Sequence, residues 1–279
     1  MVKKYAFHQL DVFSNEPLFG NPLAVVHEAN DLSESQMVQF ANWTNLSEST
    51  FLLNPTNELA DYKLRIFTPS SELAFAGHPT LGSCYAWLNK GGVPKNKDII
   101  IQECGVGLIK IRRNGERLSF LAPKLLKTGP LDQTTLNTIS KGIGISVEDI
   151  AHHQWVDNGA GWCAVMLKTA SQVLAIKPNV EYLKTLKLGV IGPHPTDHEH
   201  DFEVRAFVIP FGIHEDPVTG SLNAGIATWL INSGLSKDSY SVSQGAALGR
   251  KGKIYIEAIN NEIWVGGEVV NCIEGEVRL

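Results

Sequence analysis

Two strings 140 positions apart constrain this chain more than any other feature: Asp61-Tyr62-Lys63-Leu64-Arg65-Ile66-Phe67 and Asp201-Phe202-Glu203-Val204-Arg205-Ala206-Phe207. Each alternates apolar with polar residues and reads as a strand. A loop containing Pro and Gly follows both, and then a helix whose tail is Ala86-Trp87-Leu88-Asn89-Lys90-Gly91 in one place and Thr228-Trp229-Leu230-Ile231-Asn232-Ser233-Gly234 in the other. An alternating strand, a turn at Gly105 or Gly245, and another strand complete each copy. One matched string is commonplace, whereas a matched succession at near-constant spacing marks an internal duplication. The helices are apolar over a wide arc, at Leu81, Cys84, Tyr85 and Leu88 in the first and at Leu222, Ile226, Trp229 and Leu230 in the second. Each is therefore expected to be buried against a curled sheet, giving an α+β protein of two related halves.

The remaining pattern fits that division. Residues 5–13 and 22–27 form a hairpin-like opening around Gly20-Asn21-Pro22, and a helix follows Ser33 or Asp31 as cap, with Met37, Phe40 and Ala41 on its apolar side. The periodicity lapses over Pro123 to Pro130, which reads as the crossing between a first domain, 1–122, and a second, 123–264, with 265–279 as a candidate to complete the first. At 279 residues a chain more often divides in this way than grows one core.

A net charge of -5 argues against general affinity for nucleic acid or anionic membranes, though local N–H groups still suffice for a small anionic metabolite. No apolar run reaches the roughly 20 residues that span a bilayer, and the N-terminus turns directly into a strand pattern. The four cysteines, Cys84, Cys104, Cys163 and Cys272, form no C-x-x-C pair and read as buried free thiols of a cytoplasmic protein. No histidine pair has H-E-x-x-H spacing, and His194, His198 and His200 read as a solvated charged loop, so no metal is assigned. The glycines around Gly245 and Gly249 lack the strand and helix context of a dinucleotide motif, and no cofactor is expected.

Candidate chemistry gathers at the two helix starts, Gly77-His78-Pro79 and Gly220-Ser221, and ligands favour clefts between domains. A helix start offers unpaired N–H groups and partial positive charge, so two facing starts would hold an anion without arginine. Ser221 as a simple helix cap is the plainer alternative, and the two roles are compatible. His78 is either ordinary surface or a donor and acceptor at a helix start shaped by Gly77, which permits close backbone approach, and Pro79. Asp216 lies in a turn-rich loop where an Asx-turn is the plain alternative. Ser47 and Glu48 form a surface turn or enter the cleft, where desolvation would raise the Glu48 pKa and fit it to exchange a carbon-bound proton.

Four motifs in order, G-N-P-L-A-V-V at Gly20 to Val26, N-L-S-E-S-T-F at Asn45 to Phe51, R-I-F-T-P-S-S-E-L-A-F-A-G-H-P-T-L-G at Arg65 to Gly82, and E-D-P-V-T-G-S at Glu215 to Ser221, resemble the PhzF, or phenazine-biosynthesis-like, family. The resemblance covers essentially the whole chain. It implies the diaminopimelate epimerase-like fold, two pseudo-symmetric halves that each wrap a strongly curved, mainly antiparallel sheet or barrel around a central helix. It also implies Glu48 as the acid/base carboxylate, Ser47 as its neighbour in the pocket, His78 and Asp216 as polar participants, and Gly220 and Ser221, with Gly77, as substrate-binding positions. A homodimer is implied as well. Related epimerases use two cysteines, but Ala76 precedes Gly77-His78 and the Val218-Thr219-Gly220 stretch contains no thiol. The expected activity is cofactor-independent isomerisation of a small unsaturated or amino-acid-like carboxylate, with an amino-acid epimerase or racemase and a non-catalytic metabolite-binding protein as alternatives.

Overall fold

The computed structural model describes residues 2–279, with Phe211 described by its backbone alone. In chain order the elements are β1 (Lys4–Val12), β2 (Asn21–Val26), α1 (Glu34–Thr44), β3 (Glu48–Leu53), β4 (Tyr62–Phe67), β5 (Glu72–Leu73), α2 (Gly77–Asn89), β6 (Ile99–Cys104), β7 (Gly107–Asn114) and β8 (Arg117–Leu121). They continue as α3 (Gln133–Ile143), β9 (Ile150–Trp155), β10 (Trp162–Leu167), α4 (Ala170–Ala175), α5 (Val180–Leu183), β11 (Lys187–Pro193), β12 (Phe202–Phe207), α6 (Gly220–Asn232), β13 (Ser239–Gln244), β14 (Gly252–Ile259), β15 (Glu262–Gly267) and β16 (Val269–Arg278). The chain forms two compact units, Met1–Leu121 with Gly266–Leu279, and Ala122–Val265. Among the described residues no helix is long and apolar enough to cross a membrane.

In the first unit the strands run β16-β1-β2-β3-β4-β6-β7-β8, with β5 on β4, and in the second β15-β14-β13-β12-β11-β10-β9. Each unit contains two parallel pairs, β2 with β3 and β4 with β6 in the first, β10 with β11 and β12 with β13 in the second. A helical crossover bridges every one of them, as parallel neighbours require, while β1 with β16, β1 with β2, β3 with β4, β6 with β7, β7 with β8, β9 with β10, β11 with β12 and β13 with β14 are antiparallel.

The duplication extends to individual hydrogen bonds. Asp61 Oδ2 accepts from the Ile101 N–H at 2.7 Å, and Asp201 Oδ2 accepts from the Ser241 N–H at 2.8 Å. Arg65 donates through Nε and Nη2 to Glu72 and lies over the Phe67 ring, while Arg205 donates through the same nitrogens to Glu215 and lies over Phe207. The copies differ in burial. Arg65 and Glu72 are partly exposed, whereas the Arg205 and Glu215 side chains are only 5% and 6% exposed.

Each central helix is buried around most of its circumference. In both α2 and α6 nine of thirteen residues are buried, which one flat face of a sheet cannot achieve. In the first unit α2 packs on β16 and β1 near one edge of the strand order and on β8 at the other, so the sheet curls around it. The buried arc also reaches beyond the apolar positions named above. Thr80 and Ser83 are fully buried, and both are satisfied: the Thr80 hydroxyl donates to Ala76 O at 2.9 Å and the Ser83 hydroxyl to Thr50 Oγ1 at 2.9 Å. In the second unit α6 approaches so closely that a Cβ at Gly225 would lie 2.3 Å from the Val156 carbonyl oxygen.

One expectation is overturned in part. His198 lies in an exposed loop, as expected, but His194 and His200 at its two ends bury their rings to 8% exposure. His194 stacks on His198 at 3.7 Å between centroids, and its Nε2 lies 3.0 Å from Ser243 Oγ. The Ser243 hydroxyl donates to Glu203 Oε2 at 2.5 Å. The neighbouring sheet supplied the burial that composition could not show. Among the described residues, no group of three or more His, Cys, Asp or Glu is placed to hold a metal ion.

Glu203 is 2% exposed, and burial pushes its carboxyl up to about 7, against the opposing donor from Ser243. A raised carboxyl pKa favours folding below the ordinary value and loses that contribution as pH rises through 7. Glu203→Gln keeps an acceptor for Ser243 and cannot ionise. It should raise stability at pH 8 by up to roughly 3 kcal/mol, with little gain at pH 4.5, as read from paired denaturant titrations.

Candidate active site

The first unit brings Glu48 and His78 together. Glu48 opens β3, where it pairs in parallel register with Leu23, and its side chain retains 16% exposure. Ser47 precedes it and is half-buried. His78 is the second residue of α2 and is 4% exposed, so the surface alternative for it is excluded. Its Nε2 lies 3.4 Å from Glu48 Oε2.

A third residue, read from the sequence only as part of a turn, sets the state of His78. The amide nitrogen of Asn21, at the start of β2, lies 3.4 Å from His78 Nδ1. An amide nitrogen can only donate, so Nδ1 accepts and the ring proton resides on Nε2, facing Glu48. Asn21 is fully buried and is delivered there by the preceding turn. Gly20 is required in that turn because a Cβ would lie 2.3 Å from Val12 O, and its N–H donates to Asp11 Oδ2 at 3.0 Å. Burial lowers the His78 pKa to about 3, so the imidazole is neutral throughout the physiological range.

The starts of α2 and α6 differ from those of the other α-helices. Ser33, Asp132, Thr169 and Asn179 cap α1, α3, α4 and α5 with their side chains. Ala76 and Thr219, at the corresponding positions of α2 and α6, make no such bond. Each start thus presents backbone N–H groups and the positive end of the helix dipole without an internal cap. Gly77 is buried at the first position of α2, and Gly220 occupies the same place in α6.

In the second unit Asp216, Gly220 and Ser221 lie on one short segment. Asp216 donates its N–H to Ala206 O at 2.9 Å, and its Oδ2 accepts from the Thr219 hydroxyl at 2.6 Å. Ser221 is not the helix cap. It is the second helical residue, with its hydroxyl accepting from Trp162 Nε1 at 3.1 Å and its carbonyl from Asn158 Nδ2 at 2.8 Å. Gln244, 1% exposed, holds the segment in place and went unnoticed in the sequence. Its available signal was the strand alternation Tyr240, Val242, Gln244, which sets a carboxamide on an otherwise apolar buried face.

The cysteines stand apart from both helix starts. Burial pushes the Cys84 and Cys163 thiols up to about 12, far from a thiolate at neutral pH. Cys104 is likewise raised by burial.

With this geometry in place, the likeness to known proteins is specific. The chain is 35% identical to "Antisense-enhancing sequence 1" of Schizosaccharomyces pombe, over 98% of each chain. It is 31% identical to the trans-2,3-dihydro-3-hydroxyanthranilate isomerase of Pseudomonas fluorescens, covering 89% of this chain and 88% of that one. The crystal structure of a PhzF-family phenazine biosynthesis protein from Enterococcus faecalis superimposes with a TM-score of 0.83 at 25% identity, over 99% of this chain and all of the other. The fold is the diaminopimelate epimerase-like one, and the chain is an enzyme of the isomerase or epimerase type acting on a small carboxylate. Residues 10–275 match the model of the phenazine biosynthesis-like proteins, and the chain belongs to that family.

Proposed function

We propose that the enzyme moves a proton between two carbons of a small unsaturated carboxylate, with Glu48 as the single acid/base group. As carboxylate, Glu48 takes a proton from an activated carbon, and the C–H electron pair enters the conjugated system. The resulting glutamic acid then returns that proton to a second carbon, so the double bond shifts and no electrons leave the substrate. The pairing of Glu48 with a neutral His78 carries this reading, because Nε2–H is a donor that stays available when the carboxylate is charged and when it is not.

The second unit offers an anion-holding group of its own. The N–H groups at Gly220 and Ser221 suit a carboxylate, and Asp216 suits an amino or hydroxyl substituent. The name of the Pseudomonas fluorescens relative supports a hydroxylated, amino-bearing ring acid as the substrate class. Two-thiol racemisation is disfavoured by the high thiol pKa values and by Ala76 and Thr219 at the helix starts.

Turnover of trans-2,3-dihydro-3-hydroxyanthranilate and deuterium uptake from solvent into its carbons give the test. Glu48→Gln should lower both by roughly 100-fold to 10,000-fold. Equal rates in the two proteins would remove Glu48 as the base, and a change of configuration without a shifted double bond would favour epimerisation. His78 should show no protonation between pH 5 and 8 when its ring nitrogens are followed by NMR, with the proton on Nε2. A midpoint near 6.5 would mean that the ring is neither buried nor held as described.

A further inference from the structure

A buried hydrogen-bonded chain of the second unit ends on Asp216. Gln244 Oε1 accepts from the Thr219 N–H at 3.1 Å and from Asn223 Nδ2 at 2.9 Å. Gln244 Nε2 donates to Asp216 O at 3.2 Å and to Thr219 Oγ1 at 2.9 Å. Thr219 Oγ1 in turn donates to Asp216 Oδ2 at 2.6 Å. A hydroxyl has one proton. Because Gln244 Nε2 can only donate, it occupies the acceptor side of the Thr219 oxygen and directs that proton to the carboxylate. Successive donors of this kind polarise one another, and a short O–H···O bond to a charged oxygen is the stronger sort.

This arrangement displaces the ordinary role of the residue. A Thr at the N-cap normally turns its oxygen to the N–H of the second or third helical residue, and Thr219 gives none. What the hydroxyl does instead is hold Asp216, while Gln244 takes over the Thr219 N–H.

We propose that Thr219 and Gln244 are positioning residues for Asp216, fixing the orientation of its carboxylate through the directed Thr219 proton. The inference rests on the reading of Asp216 as a substrate-facing group, but its physical content concerns Asp216 alone. The Thr219 hydroxyl proton and both Gln244 Nε2 hydrogens are spent on protein acceptors, so these two buried residues act through Asp216.

The test is a titration of the Asp216 side-chain carboxyl by carbon-13 NMR in aspartate-labelled full-length protein, with the resonance assigned by its loss in Asp216→Asn. Thr219→Val preserves shape and removes the proton. It should raise the proton affinity of Asp216 on the order of tenfold, with Gln244→Leu acting in the same direction and Thr219→Ser restoring the wild-type curve. A Thr219→Val curve that superimposes on wild type, in protein shown to be folded by its unfolding transition, would overturn the proposal. So would a Thr219→Ser curve that behaves like the valine variant. Turnover of trans-2,3-dihydro-3-hydroxyanthranilate by Asp216→Asn separates the two levels: unimpaired turnover discards the substrate-facing role of Asp216 and leaves the titration result standing.

Discussion

Burying a helix on nearly all sides is the constraint from which the rest of this structure follows. A sheet that covers one face of α2 or α6 would leave Thr80, Ser83 or Asn223 and much apolar surface in water. Curling the sheet buries them, but then every polar atom on the helix must find a partner inside. The Thr80 and Ser83 hydroxyls and Asn223 Nδ2 do, while Asn223 Oδ1 is buried without a hydrogen bond. The helix starts pose a further demand, because their first N–H groups cannot be paired within the helix. In four other helices a Ser, Thr, Asp or Asn closes that gap. At α2 and α6 it is left without a side-chain cap, beside Glu48 and His78 in one unit and beside Asp216 in the other.

Diverged copies of one unit solve the same problem with different chemistry. Both carry an Arg–Glu fork on equivalent strands, but Arg205 and Glu215 are buried, and Arg205 also donates to Ile176 O at 2.7 Å. A buried pair gives little net stability, while removal of one partner would leave an uncompensated charge. Its structural effect is to anchor Glu215, and therefore the next residue, Asp216. The Arg65–Glu72 pair, partly solvated, lies on a segment with no equivalent carboxylate before α2. Likewise Lys63 with Glu103, a partly exposed ion pair at 3.0 Å, stands where the second unit has Glu203 with Ser243. Replacing a cation with a carboxyl on a buried strand is what produces the raised pKa of Glu203.

How far the sequence could be read depended on whether a residue's role was local. The cap of α1 was legible as Ser33 or Asp31, and the structure takes Ser33, whose partner Gln36 lies within one turn. The boundaries of α2 followed from Gly77 and Pro79 in its first turn and Gly91-Gly92 after it. Glu48 drew its assignment from motif resemblance, since a glutamate after a serine near a turn is locally unremarkable. Asn21 and Gln244 were not singled out, because each acts on a residue distant in sequence and brought near only by folding. His194 and His200 were misread for the same reason: their company in sequence is charged, while their company in space is Ser243, Glu203 and Ser241.

By itself the sequence determined the duplication, the shared strand, helix, strand succession of the two copies, the absence of thiols at the helix starts and the family. These are properties of periodicity and local residue choice, which tertiary context leaves intact. Only the tertiary structure decided the protonation of His78, the uncapped state of α2 and α6, the engagement of the Ser221 hydroxyl by Trp162, and the directed proton of Thr219. Each depends on which groups are desolvated together, and burial alters the energy of a charge or an unpaired donor by amounts that no neighbour in sequence can set.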